Sequence, residues 1–147
     1  MDKSVLSDFY ASFIAFLMMS KQQIVAIGNE QGLTAMQIFT LLYIDPENMR
    51  PMNTLSGTLS CDPSNITGIV DGLEHKKLIA RIENPKDRRV KMLKLEPAGE
   101  KIRQRVFAEL VDKNEAAFFR ALNETERTQF IAIMRKVTAS FPNRINF

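Results

Sequence analysis

Apolar residues recur at Val5, Phe9, Phe13, Phe16, Ile24 and Ile27, with the small Ser20 in the same series. Steps of three and four residues describe one long helical stripe, which Gly28 and Gly32 are expected to end. A second helix opens at Thr34 with Gln37 three residues later, the spacing of a capping box, and runs to about Ile44. Asp45-Pro46 stops it, because the residue before proline disfavours the helical region. Leu55 and Leu59 suggest a short helix ending near Ser60.

The next helix has a clear start, with Asp62 suited to the N-cap and Pro63 to the first helical position. Its apolar stripe is Ile66, Ile69, Val70 and Leu73, and the opposite side presents Ser64, Asn65, Thr67, Gly68, Asp71, Gly72 and His75. Ile79–Glu83 and Val90–Leu95 then read as paired strands joined through Asn84-Pro85-Lys86-Asp87. Pro97 opens a long helix striped by Ile102, Val106, Leu110, Ala117 and Ala121, widened by Phe107, Val111 and Phe118. Asn123 with Glu126 caps a last helix, along which Phe130, Ile133, Met134, Val137 and Phe141 recur.

This order predicts a mainly α protein with a small β-hairpin wing. Helix, tight turn, helix and a hairpin with the basic tip Lys86-Asp87-Arg88-Arg89 is the arrangement that puts one helix in a DNA major groove and a cationic loop beside it. Both ends of the chain are apolar-striped helices outside that centre. They pack either on each other within one chain or with a second copy, and the second is expected, since a two-fold protein reads a symmetric DNA site and one small reading head binds weakly.

Charge sharpens the picture. The net charge is only +3, but between residues 74 and 105 eleven Lys/Arg face five Asp/Glu, so the rest of the chain is net acidic. Cations concentrated around a hairpin are the footprint of phosphate contact. At 147 residues, 45% hydrophobic and 25% charged, the chain reads as one globular domain. A single cysteine, Cys61, rules out an intrachain disulfide and fits a reducing cytoplasm. The run Phe9 to Met19 falls short of the roughly 20 apolar residues a span needs, and no basic leader precedes it. A soluble, unprocessed protein without a membrane partner is therefore expected.

Little in the sequence suggests enzyme chemistry. His75 is the only histidine, so no intrachain site with two His ligands exists, and one Cys with one His makes no structural zinc site. No nucleophile elbow accompanies His75, and Gly28 and Gly32 lack the Lys-Ser/Thr of a phosphate loop. No cofactor is expected. Cys61, in the turn between the two central helices, reads as a small buried hydrophobe.

The ordered set Leu55-Ser56-Gly57-Thr58-Leu59, Pro63-Ser64-Asn65-Ile66-Thr67, Val70-Asp71-Gly72-Leu73-Glu74, Leu78-Ile79-Ala80-Arg81, Asp87-Arg88-Arg89 and Leu93-Lys94-Leu95-Glu96-Pro97-Ala98-Gly99 resembles the MarR (multiple antibiotic resistance) regulators. The resemblance implies a winged helix-turn-helix lobe over residues 34–96, with helices 1–30 and 97–147 forming the lobe of an intertwined homodimer. It implies that the helix from Pro63 to about Lys76 reads the major groove. It also implies that Arg89 enters the minor groove, braced by Asp87 and Arg81; arginine suits the enhanced negative potential of a narrow minor groove. Where family members often carry a basic or long polar residue, this chain has Gly68 and Gly72.

The DNA-binding set is thus Ser64, Asn65, Thr67, Gly68, Arg81, Lys86, Asp87, Arg88 and Arg89, and the partner is double-stranded DNA. The family also places small aromatic or phenolic effectors between the two lobes, beside the helices that carry Phe13, Phe16, Phe39, Tyr43 and Phe107. The expected function is a cytoplasmic, ligand-responsive repressor. The alternative is a winged-helix dimer that has lost operator binding and acts as a protein-interaction or antirepressor module.

Overall fold

The computed structural model describes residues 2–117 and 119–140, leaving aside the side chains of 113–117. Helix α1 (Lys3–Glu30) begins at Asp2, whose carboxylate accepts from the Ser4 N–H. It passes through Gly28 instead of ending there. A Cβ on Gly28 would lie 2.8 Å from the Leu33 carbonyl oxygen, so this glycine admits the returning chain. The turn itself is made at Gly32, whose φ of +63° is left-handed. Helix α2 (Ala35–Tyr43) carries the expected capping box, with Thr34 and Gln37 bonded reciprocally.

A two-residue strand β1 (Arg50–Pro51) and a 3-10 turn (Met52–Thr54) lead into helix α3 (Leu55–Leu59). Helix α4 (Pro63–His75) precedes strands β2 (Ile79–Asn84) and β3 (Asp87–Leu95). The sheet order is β1-β3-β2, all antiparallel, with Arg50 and Arg81 on either side of Leu93. β3 starts three residues earlier than its apolar pattern suggests, because Asn84 pairs directly with Asp87 across Pro85-Lys86. Helix α5 (Pro97–Ala117) stops before Ala121, which lies in a 3-10 turn (Phe119–Ala121) rather than in the α5 stripe. Helix α6 (Glu124–Ser140) follows a capping box between Asn123 and Glu126. The expected stripe positions Phe118 and Phe141 lie outside the described residues.

Among the described residues, every buried apolar side chain falls between Ile27 and Val106. The core joins α2 (Ile38, Leu41, Leu42, Tyr43), Leu55 of α3, α4 (Ile66, Val70, Leu73) and the sheet (Ile79, Leu93, Leu95), closed by Val106 of α5. Gly99 is required where α5 meets this core. A Cβ there would overlap the Leu78 carbonyl, which accepts the Glu96 N–H at 3.0 Å.

The outlying part of α1 and all of α6 lie outside that core among the described residues. On α1, Val5, Phe9, Tyr10, Ile14, Leu17, Met18 and Met19 are exposed, as are Val111 of α5 and Ile131, Ile133 and Val137 of α6. α1 is also long and apolar enough to cross a membrane by length and composition, which the run Phe9–Met19 alone is not. The helix continues past Lys21 through Ile24-Val25-Ala26-Ile27, and that continuation supplies the extra length. Its far end is built into the folded core, where Ile27 is fully buried and Ile24 packs against the cluster.

Candidate nucleic-acid interface

Helix α4 buries Ile66, Val70 and Leu73, and this sets what its other sides present. Ser64, Gly68, Asp71 and His75, spaced by four, three and four, form its outermost row and are all exposed. Pro63, Thr67, Asp71 and Glu74 make the flank nearer the wing. Asn65 and Gly72 lie on the other flank, towards α2. The two glycines therefore differ: a Cβ on Gly68 meets open space, whereas one on Gly72 would sit 2.6 Å from Nε2 of Gln37. Gln37 is occupied by the α2 capping box, so Gly72 makes room for the α2–α4 contact.

At the start of α4, Asp62 takes the extended N-cap backbone but its carboxylate makes no capping bond. The N–H groups of Ser64 and Asn65 therefore face outward without a partner among the described residues, at the positive end of the helix dipole. The Thr67 hydroxyl donates to the Pro63 carbonyl at 3.2 Å, which leaves its lone pairs for an incoming donor.

The wing faces this helix across a groove of about 320 Å³, lined by Met52, Asn53, Ser56, Pro63, Ile66, Thr67, Arg89, Val90 and Lys91. Asn53, Ser56 and Lys91 were not singled out by the sequence reading. The first two become neighbours of α4 only through the fold, whereas Lys91, two residues after Arg89 on the same strand face, could have been found by strand periodicity. Lys91 is held by Glu83 at 3.0 Å. Lys86, Arg88 and Arg89 are exposed at the tip, and none is paired among the described residues. Asp87 accepts the backbone N–H of Arg89 at 3.0 Å, so it shapes the tip turn through the main chain.

Arg81 occupies a different environment. One arm of its guanidinium donates to Glu74 at 3.0 Å and the other to Asp71, both on α4. Its backbone N–H donates to the second Glu74 oxygen at 3.2 Å. Cys61 is half-buried beside Ser60, which takes a left-handed φ of 50° in the α3–α4 turn.

The five aromatic residues lie on three helices, α1, α2 and α5. Tyr43 is buried, with its hydroxyl 2.7 Å from Thr54 Oγ1, which itself donates to the Pro51 carbonyl, and the Arg50 guanidinium lies over its ring. Phe39 and Phe107 are half-buried on α2 and α5, two helices in contact, with Arg103 over the Phe107 ring at 5.2 Å. Phe13 and Phe16 are half-buried on the outlying part of α1, where Phe13 stacks on Phe9.

Comparison with known proteins agrees with this geometry. A family model described as "MarR family" matches residues 33–91, from the approach to α2 through the wing tip. The HTH-type transcriptional repressor MdtR of Bacillus subtilis (strain 168) is 31% identical over 96 residues, 65% of this chain and 62% of that protein. The match thus spans less than two thirds of MdtR. The crystal structure of the YusO protein from Bacillus subtilis superposes with a TM-score of 0.63 at 28% identity, covering 96% of this chain and 99% of that one. Wild-type MarR from E. coli, in its apo form, shares the fold with a TM-score of 0.71 at 22% identity, over 86% and 94% of the two chains. With its helices and small antiparallel wing sheet among the described residues, the chain has the winged-helix fold of these proteins, and its central part is similar to the MarR family.

Proposed function

We propose that this protein is a DNA-binding transcription regulator, a ligand-responsive repressor working in the cytoplasm as a homodimer. The observation that carries the reading is the groove between α4 and the wing. It is lined by Pro63, Ile66 and Thr67 of α4 and by Arg89, Val90 and Lys91 of the wing. Beyond it lie the exposed start of α4 and the tip cations Lys86 and Arg88, which like Arg89 are unpaired among the described residues. Phosphate oxygens suit both kinds of donor, since helix N-termini and arginines are complementary to anions. α4 enters the major groove with Ser64, Asn65, Thr67 and Gly68 against the bases and backbone. Arg88 and Lys86 meet phosphates, and Arg89 reaches into the minor groove.

The chain then works as two parts, a reading lobe over 34–96 and a dimer lobe from 1–30 and 97–147. The apolar side chains exposed on α1, α5 and α6 are the surface a second copy covers. A small aromatic or phenolic effector near Phe39 and Phe107, with Phe13 and Phe16 of the dimer lobe, would release DNA if it binds better to the dimer whose reading heads are wrongly spaced. Tyr43 would offer such a ligand ring surface only, its hydroxyl being occupied. The reading is one of binding without catalysis.

Salt-dependent fluorescence anisotropy tests it, using duplex from upstream of the protein's own gene beside a scrambled duplex. Preference for the upstream duplex, with affinity falling steeply as salt rises, is the expected result. Equal binding to both would remove sequence-specific regulation. The second reading, a winged-helix dimer without operator binding, draws on the bare surface at Gly68, and binding to neither duplex at low salt would favour it.

A further inference from the structure

We infer that Arg81 is a positioning residue and not a DNA contact: forked between Asp71 and Glu74, it sets the angle of the wing against the reading helix and withholds the Asp71 charge from DNA. The inference rests on the DNA-binding reading above. Both oxygens of Glu74 are held by residue 81, one by its backbone N–H and one by its guanidinium. The other guanidinium arm holds Asp71, and Nε is buried without a partner among the described residues. Three sides of the group are therefore turned inward or occupied, and reaching a phosphate would mean leaving two carboxylates. Arginine suits this task because its planar fork presents several donors in fixed directions.

The location gives the clamp leverage. Arg81 lies opposite Leu93, which also pairs with Arg50, so it sits in one of the two adjacent cross-strand rows shared by all three strands, the outer of which is Pro51–Met92–Ile82. From that row outward the hairpin projects as a two-stranded arm carrying Lys86, Arg88 and Arg89. A small rotation at its base moves the tip cations away from the groove α4 occupies. Asp71 itself is 56% exposed in the outermost row of α4, where an unneutralised carboxylate would repel the phosphate backbone.

The test uses the full chain and a duplex that the wild-type protein selects from a random-sequence pool. Asp71→Asn keeps the shape of the side chain and removes one acid from the DNA-facing row, so electrostatics alone would tighten binding. The clamp requires the opposite, a loss of about fivefold, the scale of coupling between contacting groups. Arg81→Ala should weaken binding with the slope of log affinity against log salt unchanged. The charge swap Asp71→Arg with Arg81→Asp should recover affinity relative to either single variant. Tighter binding by Asp71→Asn, a salt slope reduced by about one phosphate contact in Arg81→Ala, or no recovery in the swap would each overturn the inference. If the wild-type protein selects no duplex, the DNA-binding reading falls and the clamp's purpose falls with it.

Discussion

Single side chains in the interface divide into those that can reach DNA and those that cannot. Arg89 is exposed and unpaired at the tip, so Arg89→Ala should weaken DNA binding by about tenfold, with a smaller salt slope and less preference for a narrow minor groove. Unchanged affinity and preference in an anisotropy titration would remove its role. The two glycines of α4 give a sharper contrast. Gly68→Arg adds a cation to open space on the outermost row and should raise DNA affinity about tenfold at low salt, chiefly without sequence preference. Gly72→Arg would push Gln37 out of the α2 capping box and should lower the unfolding midpoint instead. Equal behaviour of the two variants in titration and melting would contradict the geometry. The two glycines thus differ: a side chain at Gly68 meets open space, whereas one at Gly72 must displace the Gln37 amide.

Helices with strong periodic stripes were legible from the sequence; short or tertiary-made elements were not. Thr34 with Gln37, and Pro63 after Asp62, announced α2 and α4 through local chemistry that the fold retains, except that Asp62 does not cap with its side chain. Two residues cannot show a period of two, so β1 is invisible until Arg50 and Pro51 find Leu93 and Met92. Gly28 was read as a helix end because glycine weakens helices, yet its use is close packing beneath Leu33. In the interface the tip cations were legible as a charge cluster. The engagement of Arg81 with α4 was not, because its partners are seven and ten residues away on another element. The same distinction governs the junction between wing and α5. Gly99→Ala places a methyl group against the Leu78 carbonyl and should destabilise the fold by about 1–3 kcal/mol in urea unfolding. Gly57→Ala, in α3 with nothing near its Cβ, should be neutral or stabilising by up to about 1 kcal/mol. A Gly99→Ala variant as stable as Gly57→Ala would show that the Leu78 contact does not require a glycine there.

At the scale of the molecule, the buried apolar side chains among the described residues run from Ile27 to Val106, and the outlying part of α1 and all of α6 add none. The exposed apolar residues of α1 fall on several sides of the helix between Val5 and Met19, so one flat partner surface could not cover them all. A second copy contributing its own α1, α5 and α6 can, and intertwining would surround the helix. A lipid bilayer would also accept α1 by length, but α1 continues without a break into the core at Ile27, and α5 and α6 expose apolar side chains too. A dimer would cover all three helices with one kind of surface. The stability of a protein built that way would depend on concentration, since association stabilises the folded chain by mass action. The melting temperature of the wild-type protein should rise with protein concentration, and light scattering should give twice the chain mass. Ile14→Glu with Leu17→Glu, which puts two charges into the covered stretch, should yield monomer or unfolded chain and abolish high-affinity DNA binding while leaving the groove residues untouched. A wild-type protein that scatters as a monomer and melts at one temperature at all concentrations would remove the dimer, and with it the two-headed reading of DNA.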